Sequence, residues 1–256
     1  MNKIQLLQVK ILAYFLSYHY RYPTLLKLIF AFLTFLSFSF LFNPEIGFIL
    51  SFGIWVHEYG HVLALEILKI RVIAVYLVPF FGGITAFDRL GVKNYLRKYF
   101  ISIMGPVTGA LFGGLFLIQY LIFHVNWLGC AAILTIGINL LNLTPISPFD
   151  GGSIYDSIIS SFPNNIKRFC YGIISGLFLS LGIYFIKTIP VISFILISGS
   201  IYQFISRVNK NPELELEPIV KYDQILLCVI TYLLVIMGML AMLVPLLNVN
   251  IVELLK

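Results

Sequence analysis

Residues 99–149 read YFISIMGPVTGALFGGLFLIQYLIFHVNWLGCAAILTIGINLLNLTPISPF, 51 positions without one Asp, Glu, Lys or Arg. A bilayer core about 30 Å thick takes around 20 apolar helical residues to cross, so this run holds two spans with a turn at 124–129. Similar apolar stretches lie on either side: 25–42 with Lys27 at its edge, 46–68 with ionisable residues in its second half, 169–186, 191–205 and 225–248. The expected fold class is an all-α polytopic membrane protein with six or seven transmembrane helices, 225–248 making the seventh. Composition leads to the same place. Of the 256 residues 60% are hydrophobic and 11% charged, against about half and about a quarter in globular proteins. So few charges cannot coat a soluble surface, and a mean hydropathy of +0.97 is equally far from a disordered chain.

The net charge of +6 comes from 17 Lys and Arg that flank the apolar runs. That placement excludes nucleic acid as a partner and favours an anionic bilayer surface. With the amino terminus in the cytoplasm, the loops at 69–98, 150–168 and 206–223 share its side, and only Lys187 and Lys256 fall opposite. The asymmetry orients the chain in the cell membrane with the carboxyl ends of the second and fourth spans facing the cytoplasm. The first 22 residues have a basic start but no small-residue cleavage site. Residues 4–20 are expected to form an interfacial or short membrane-entering helix, with Lys3, Lys10 and Arg21 reaching the headgroups. Cys130, Cys170 and Cys228 lie in apolar runs without CxxC spacing and read as inert thiols.

The second span contains Trp55-Val56-His57-Glu58-Tyr59-Gly60-His61, an HExxH motif. Histidines at i and i+4 lie one above the other on a helix face, so both imidazoles can hold one Zn²⁺ while Glu58 stands beside them to move a water proton. Ionisable groups at membrane depth are costly and usually functional. A third ligand is needed, and no HxxGxxH continuation follows. Glu66 is off the shared face and reads as a polar helix end. Asp150 is the best candidate, in Asn142-Leu143-Thr144-Pro145-Ile146-Ser147-Pro148-Phe149-Asp150-Gly151-Gly152. Pro145 and Pro148 break the fourth span there, which is tolerated near a membrane where protein or water covers the backbone. The competing reading of Asp150 is an Asp-Gly turn capping a following helix.

Taken together, HEYGH at 57–61, Pro79-Phe80-Phe81-Gly82-Gly83, Gly105-Pro106 and the NxxP plus DGG run at 142–152 resemble the site-2 proteases, intramembrane zinc metalloproteases, and more narrowly their sporulation-type, pro-sigma-factor-processing branch. The resemblance covers residues 45–160. It implies a three-helix catalytic core there, between an amino-terminal interfacial segment and first helix at 1–44 and carboxy-terminal helices at 161–256 with a polar linker at about 206–223. It implies that His57, His61 and Asp150 hold the zinc, that Glu58 is the general base, and that Asn142 contacts the substrate or transition state. Phe149 stands where the family usually has Leu, a change expected to reshape only packing. No stretch is long and polar enough for the PDZ or cystathionine-synthase-type regulatory domain that related enzymes add.

A transmembrane substrate must unwind before an amide can be cut, because its helix satisfies every backbone group internally. The segment 71–78 is rich in Val, Ile and Tyr, and Gly82-Gly83 before 84–87 predicts a small membrane-associated β-hairpin. Its edge, at Val75, Val78, Gly82 and Gly83, could pair with an unwound substrate by strand addition, or the hairpin could only shield the site. Gly105, Gly109 and Gly113 make a small-residue face on the third span, expected to pack against the His-bearing helix. Glu213, Glu215 and Glu217 read as a solvated face of the linker, with contact to an accessory regulator as the alternative. His19 and His124 have no evident partner. The expected activity is therefore peptide-bond hydrolysis in a single-pass transmembrane or membrane-peptide substrate embedded in the lipid bilayer. A multi-pass transporter or a metal-binding membrane protein without hydrolysis is the alternative.

Overall fold

A computed structural model of the chain describes residues 23–79, 82–208, 216–247 and 249. The helix expected at 4–20, His19, Phe80, Phe81, Glu213, Glu215 and Lys256 lie outside the described residues. Among the described residues, eight α-helices and one hairpin make up the fold. Helix α1 (Pro23–Leu41) turns within two residues into α2 (Pro44–Ile67), where the Asn43 side chain accepts the Ile46 N–H at 2.9 Å and Pro44 takes the first helical position. An Asn cap followed by Pro is a strong helix start, since Pro costs nothing where the N–H has no partner.

The hairpin β1 (Val72–Val78) and β2 (Gly82–Phe87) follows, antiparallel, with Val75 opposite Thr85, Leu77 opposite Gly83 and Val78 opposite Gly82. Gly82 has φ +123, a backbone that side-chain-bearing residues rarely adopt. Helix α3 (Tyr95–Phe123) starts on Asn94, which accepts the Arg97 N–H, and stops at His124, whose φ of 53 is left-handed. The turn after it is only His124 and Val125, shorter than the 124–129 expected, because α4 (Asn126–Asn142) begins at once. After the proline-interrupted loop come α5 (Asp150–Ile158), α6 (Asn164–Tyr184), α7 (Pro190–Gln203) and α8 (Tyr222–Leu243).

Among the described residues, five helices are long and apolar enough to cross a membrane: 24–41 in α1, then α2, α3, α6, and 222–246 at α8. Their outward faces carry exposed apolar side chains such as Phe40, Leu111, Leu121 and Leu234. Lipid accepts such faces and water does not. Two of the six or seven expected spans lie on shorter helices. Helix α4 has 17 residues and α7 has 14, about 26 and 21 Å at 1.5 Å per residue against the ~30 Å hydrocarbon layer. A π-helical turn (Phe204–Val208) prolongs α7. The expected linker at 206–223 is accordingly shorter: Arg207 belongs to that turn, and Glu217 bridges back to Asn94 while Ile219 is buried with its N–H on the Ser160 hydroxyl.

Helix α3 is the central pillar, packed against α2, α4, α5 and α8. Tyr99, Ile103, Ala132, Ile136, Ile154 and Met239 form its main core with α4, α5 and α8. A second cluster, Phe38, Ile46, Leu50, Ile54 and Leu77, ties α1 and α2 to β1. The small-residue face of α3 divides between two neighbours. A Cβ on Gly105 would stand 2.4 Å from His61 Nε2, whereas one on Gly109 would stand 2.1 Å from Asn139 Oδ1 and one on Gly113 2.6 Å from Ile136 Cγ1. Only the first approach faces α2; the other two let α4 come close.

Candidate metal centre

His57 and His61 project from the buried face of α2, a helical turn apart, with Glu58 buried beside them. Each imidazole is held at Nδ1. His57 Nδ1 lies 2.7 Å from Asn139 Oδ1 on α4, and His61 Nδ1 lies 2.8 Å from the Ile101 carbonyl on α3. The Asn139 amide nitrogen donates to Thr135 O at 2.8 Å, so its oxygen faces the histidine. Both partners accept only, and both Nδ1 atoms therefore donate. Both Nε2 atoms are left as lone pairs, 3.1 Å apart.

Asp150 closes the triangle. Its Oδ2 is 3.0 Å from His57 Nε2 and 3.3 Å from His61 Nε2. Three buried or half-buried donor atoms within 4.8 Å of one another form a group able to hold one metal ion. Donors about 2.0–2.1 Å from a tetrahedral zinc stand about 3.3 Å from each other, close to the edges of this triangle. Two opposed imidazole lone pairs beside a carboxylate repel one another unless a cation lies between them, and His₂Asp is a donor set suited to Zn²⁺ with one position open. The residues fit the ion. A cation in the triangle would hold Asp150 as the carboxylate that a ligand must be.

Asp150 reaches this depth through local chemistry on both sides of it. Pro145 and Pro148 stop α4 from continuing, and Asp150 is the first residue of α5, preceded by Phe149 at the cap. The Asp-Gly turn considered for this position is absent, because Gly151 and Gly152 are helical. They serve close packing: a Cβ on Gly151 would lie 2.2 Å from Thr144 O, and one on Gly152 2.8 Å from Ile146 C. The first turn of α5 thus lies directly on the loop before it, with Asp150 turned toward α2.

The hairpin covers Glu58. Thr85 Oγ1 donates to Glu58 Oε2 at 2.6 Å, and a Cβ on Gly83 would stand 2.3 Å from Glu58 Cγ. Alternation along β2 puts Gly83 and Thr85 on the same face, toward α2, and Ile84 on the other, where it is exposed. Val75 and Val78 lie on β1, half-buried, one strand removed from Glu58. Strand β1 lies along α1, with Tyr76 edge-on to Phe30 at 6.0 Å. Asn142 is the half-buried last residue of α4, one turn beyond Asn139. Glu66 is exposed and outside the metal group. Asn139 and Thr85 escaped the sequence reading. Asn139 carried one usable signal, a polar side chain in an otherwise apolar helix at i−3 from Asn142; Thr85 carried none.

No protein-family profile matches the chain. In sequence it is 32% identical over 119 residues to a zinc metalloprotease of Methanocaldococcus jannaschii, covering 44% of this chain and 34% of that protein. The chain thus spans about a third of the length of that curated relative. Among solved structures it is similar to the Site-2 Protease from Methanocaldococcus jannaschii, with 22% identity and a TM-score of 0.47, over 75% of this chain and 91% of that one.

Proposed function

We propose that this chain is an intramembrane zinc metalloendopeptidase, cutting peptide bonds in transmembrane or membrane-adjacent segments near the cytoplasmic face. The observation that carries the reading is the triangle of His57 Nε2, His61 Nε2 and Asp150 Oδ2 with Glu58 next to it on the same helix. The name of the curated relative, a zinc metalloprotease, supports it. An ion held there supplies Lewis acidity, lowering the pKa of water and polarising the scissile carbonyl.

The chain's own residues do the rest. Glu58 takes a proton from the attacking water and returns it to the leaving nitrogen. Thr85 fixes the orientation of the Glu58 carboxylate through Oε2. Burial of His57, Glu58 and His61 keeps bulk water and lipid from the reacting atoms. Asn142 contacts the substrate. An unwound segment pairs with the hairpin, and the outer edge of β2, the strand against Glu58, suits that role better than β1. The catalytic core is 45–160, with the amino terminus and the active-site side cytoplasmic, as the Lys and Arg distribution favours.

The test is co-expression with tagged single-pass membrane proteins, comparing wild type with Glu58→Gln. Cleavage by wild type alone, with both forms retaining one zinc per chain, is the expected result. Equal cleavage by the two forms removes Glu58 from the mechanism.

A further inference from the structure

Helix α7 lies outside the helices α2, α3, α4 and α5 that build the candidate site, yet one face of it meets the segment that delivers Asp150. Gln203 is buried, 1% exposed. Its Oε1 accepts the Ser147 N–H at 2.7 Å and its Nε2 donates to the Pro145 carbonyl at 3.3 Å. One turn earlier, a Cβ on Gly199 would stand 2.9 Å from Ser147 O, so the glycine lets the helix backbone touch the loop. Four residues after Gln203, Arg207 Nη2 donates to Asp156 Oδ2 at 2.5 Å.

Asp156 is itself 4% exposed, near the far end of α5. Lys98 Nζ also donates to its Oδ2, at 2.7 Å, and Tyr171 OH to its Oδ1, at 2.6 Å. The contacts from α7 and its π turn therefore bracket Asp150, at 145–147 before it and at 156 after it. The loop between α4 and α5 needs outside support, because Pro145 and Pro148 have no N–H and no regular ladder can run through it. Without Gln203 the Ser147 N–H has no partner, and without Arg207 the buried Asp156 loses one of its two cations.

We propose that Gln203 and Arg207 are positioning residues for Asp150, so that α7 sets the affinity of the metal centre without touching it. The inference rests on the zinc reading above. Its test uses the full chain purified in detergent: wild type, Gln203→Leu and Arg207→Ala, each also in an Asp150→Ala background. Zinc dissociation constants come from competition with a chromogenic chelator, and thermal melting of the metal-free protein is followed in parallel. Gln203→Leu and Arg207→Ala should each weaken zinc binding by about tenfold or more, the effect usual for groups that orient metal ligands. Neither should weaken it further once Asp150 is gone, since a positioning residue has nothing left to position.

Arg207→Lys, which keeps the cation, should recover most of the affinity. Gln203→Met, which keeps the side-chain length and loses both hydrogen bonds, replaces Gln203→Leu if that variant does not accumulate. Zinc affinity within about twofold of wild type in folded variants, or equal losses in both backgrounds, overturns the proposal. A folded wild type that binds no zinc overturns the metal reading itself, and this inference with it.

Discussion

Asn139 shows how much one side chain can decide. Its oxygen receives the His57 Nδ1 proton, which leaves Nε2 as the lone pair that faces Asp150. Asn139→Leu leaves that N–H buried without a partner and frees the ring to flip; zinc affinity should fall about 10- to 100-fold in chelator competition, and Asn139→Asp, which keeps an acceptor, should fall less. Gly105 is the other residue on which the site depends. A Cβ there would sit 2.4 Å from His61 Nε2 and 2.9 Å from His57 Nε2, so Gly105→Ala should drive zinc per chain toward zero by atomic absorption. The two histidines were legible because their spacing places both on one face of one helix. Asn139 was not, because its partner stands 82 residues away.

At the level of elements, the short α4 and the hairpin bring the chemistry together. Helix α4 stops at Asn142, and the proline-interrupted loop after it turns the chain so that Asp150, the first residue of α5, meets the histidines of α2. The hairpin was expected from its Val- and Ile-rich run and its glycines, but which strand meets the site depends on packing. Alternation along β2 aims Gly83 and Thr85 at Glu58, with Val75 and Val78 on the far strand. Thr85→Val should lower kcat by roughly tenfold at unchanged zinc content, with Thr85→Ser restoring it. A proline at Val75 would strike the β1–β2 pairing itself. Disrupting the outer edge of β2 at Ile84 is the cleaner probe of strand addition.

Across the whole molecule, apolar surface and charge are arranged for a bilayer. Among the described residues, five long apolar helices expose Leu and Phe outward, and charges gather at their ends. The orientation makes a direct prediction. A cysteine replacing exposed Lys93 should react with a membrane-impermeant maleimide only from the cytoplasmic side, and one replacing exposed His124 only from the opposite side, in a background with Cys170 changed to Ser. Labelling of both from the same side would contradict the proposed topology.

Periodicity and composition are local or summed properties, and they were enough for the helical membrane class, the apolar runs, the hairpin and the HExxH pair. Each depends on neighbours along the chain or on totals. The Asn139 and Thr85 contacts and the support of the Asp150 segment from α7 needed the folded coordinates. They join residues 27 to 82 positions apart, where no sequence period links donor to acceptor. Close packing around Gly105, Gly151 and Gly152 sets which of those distant groups meet.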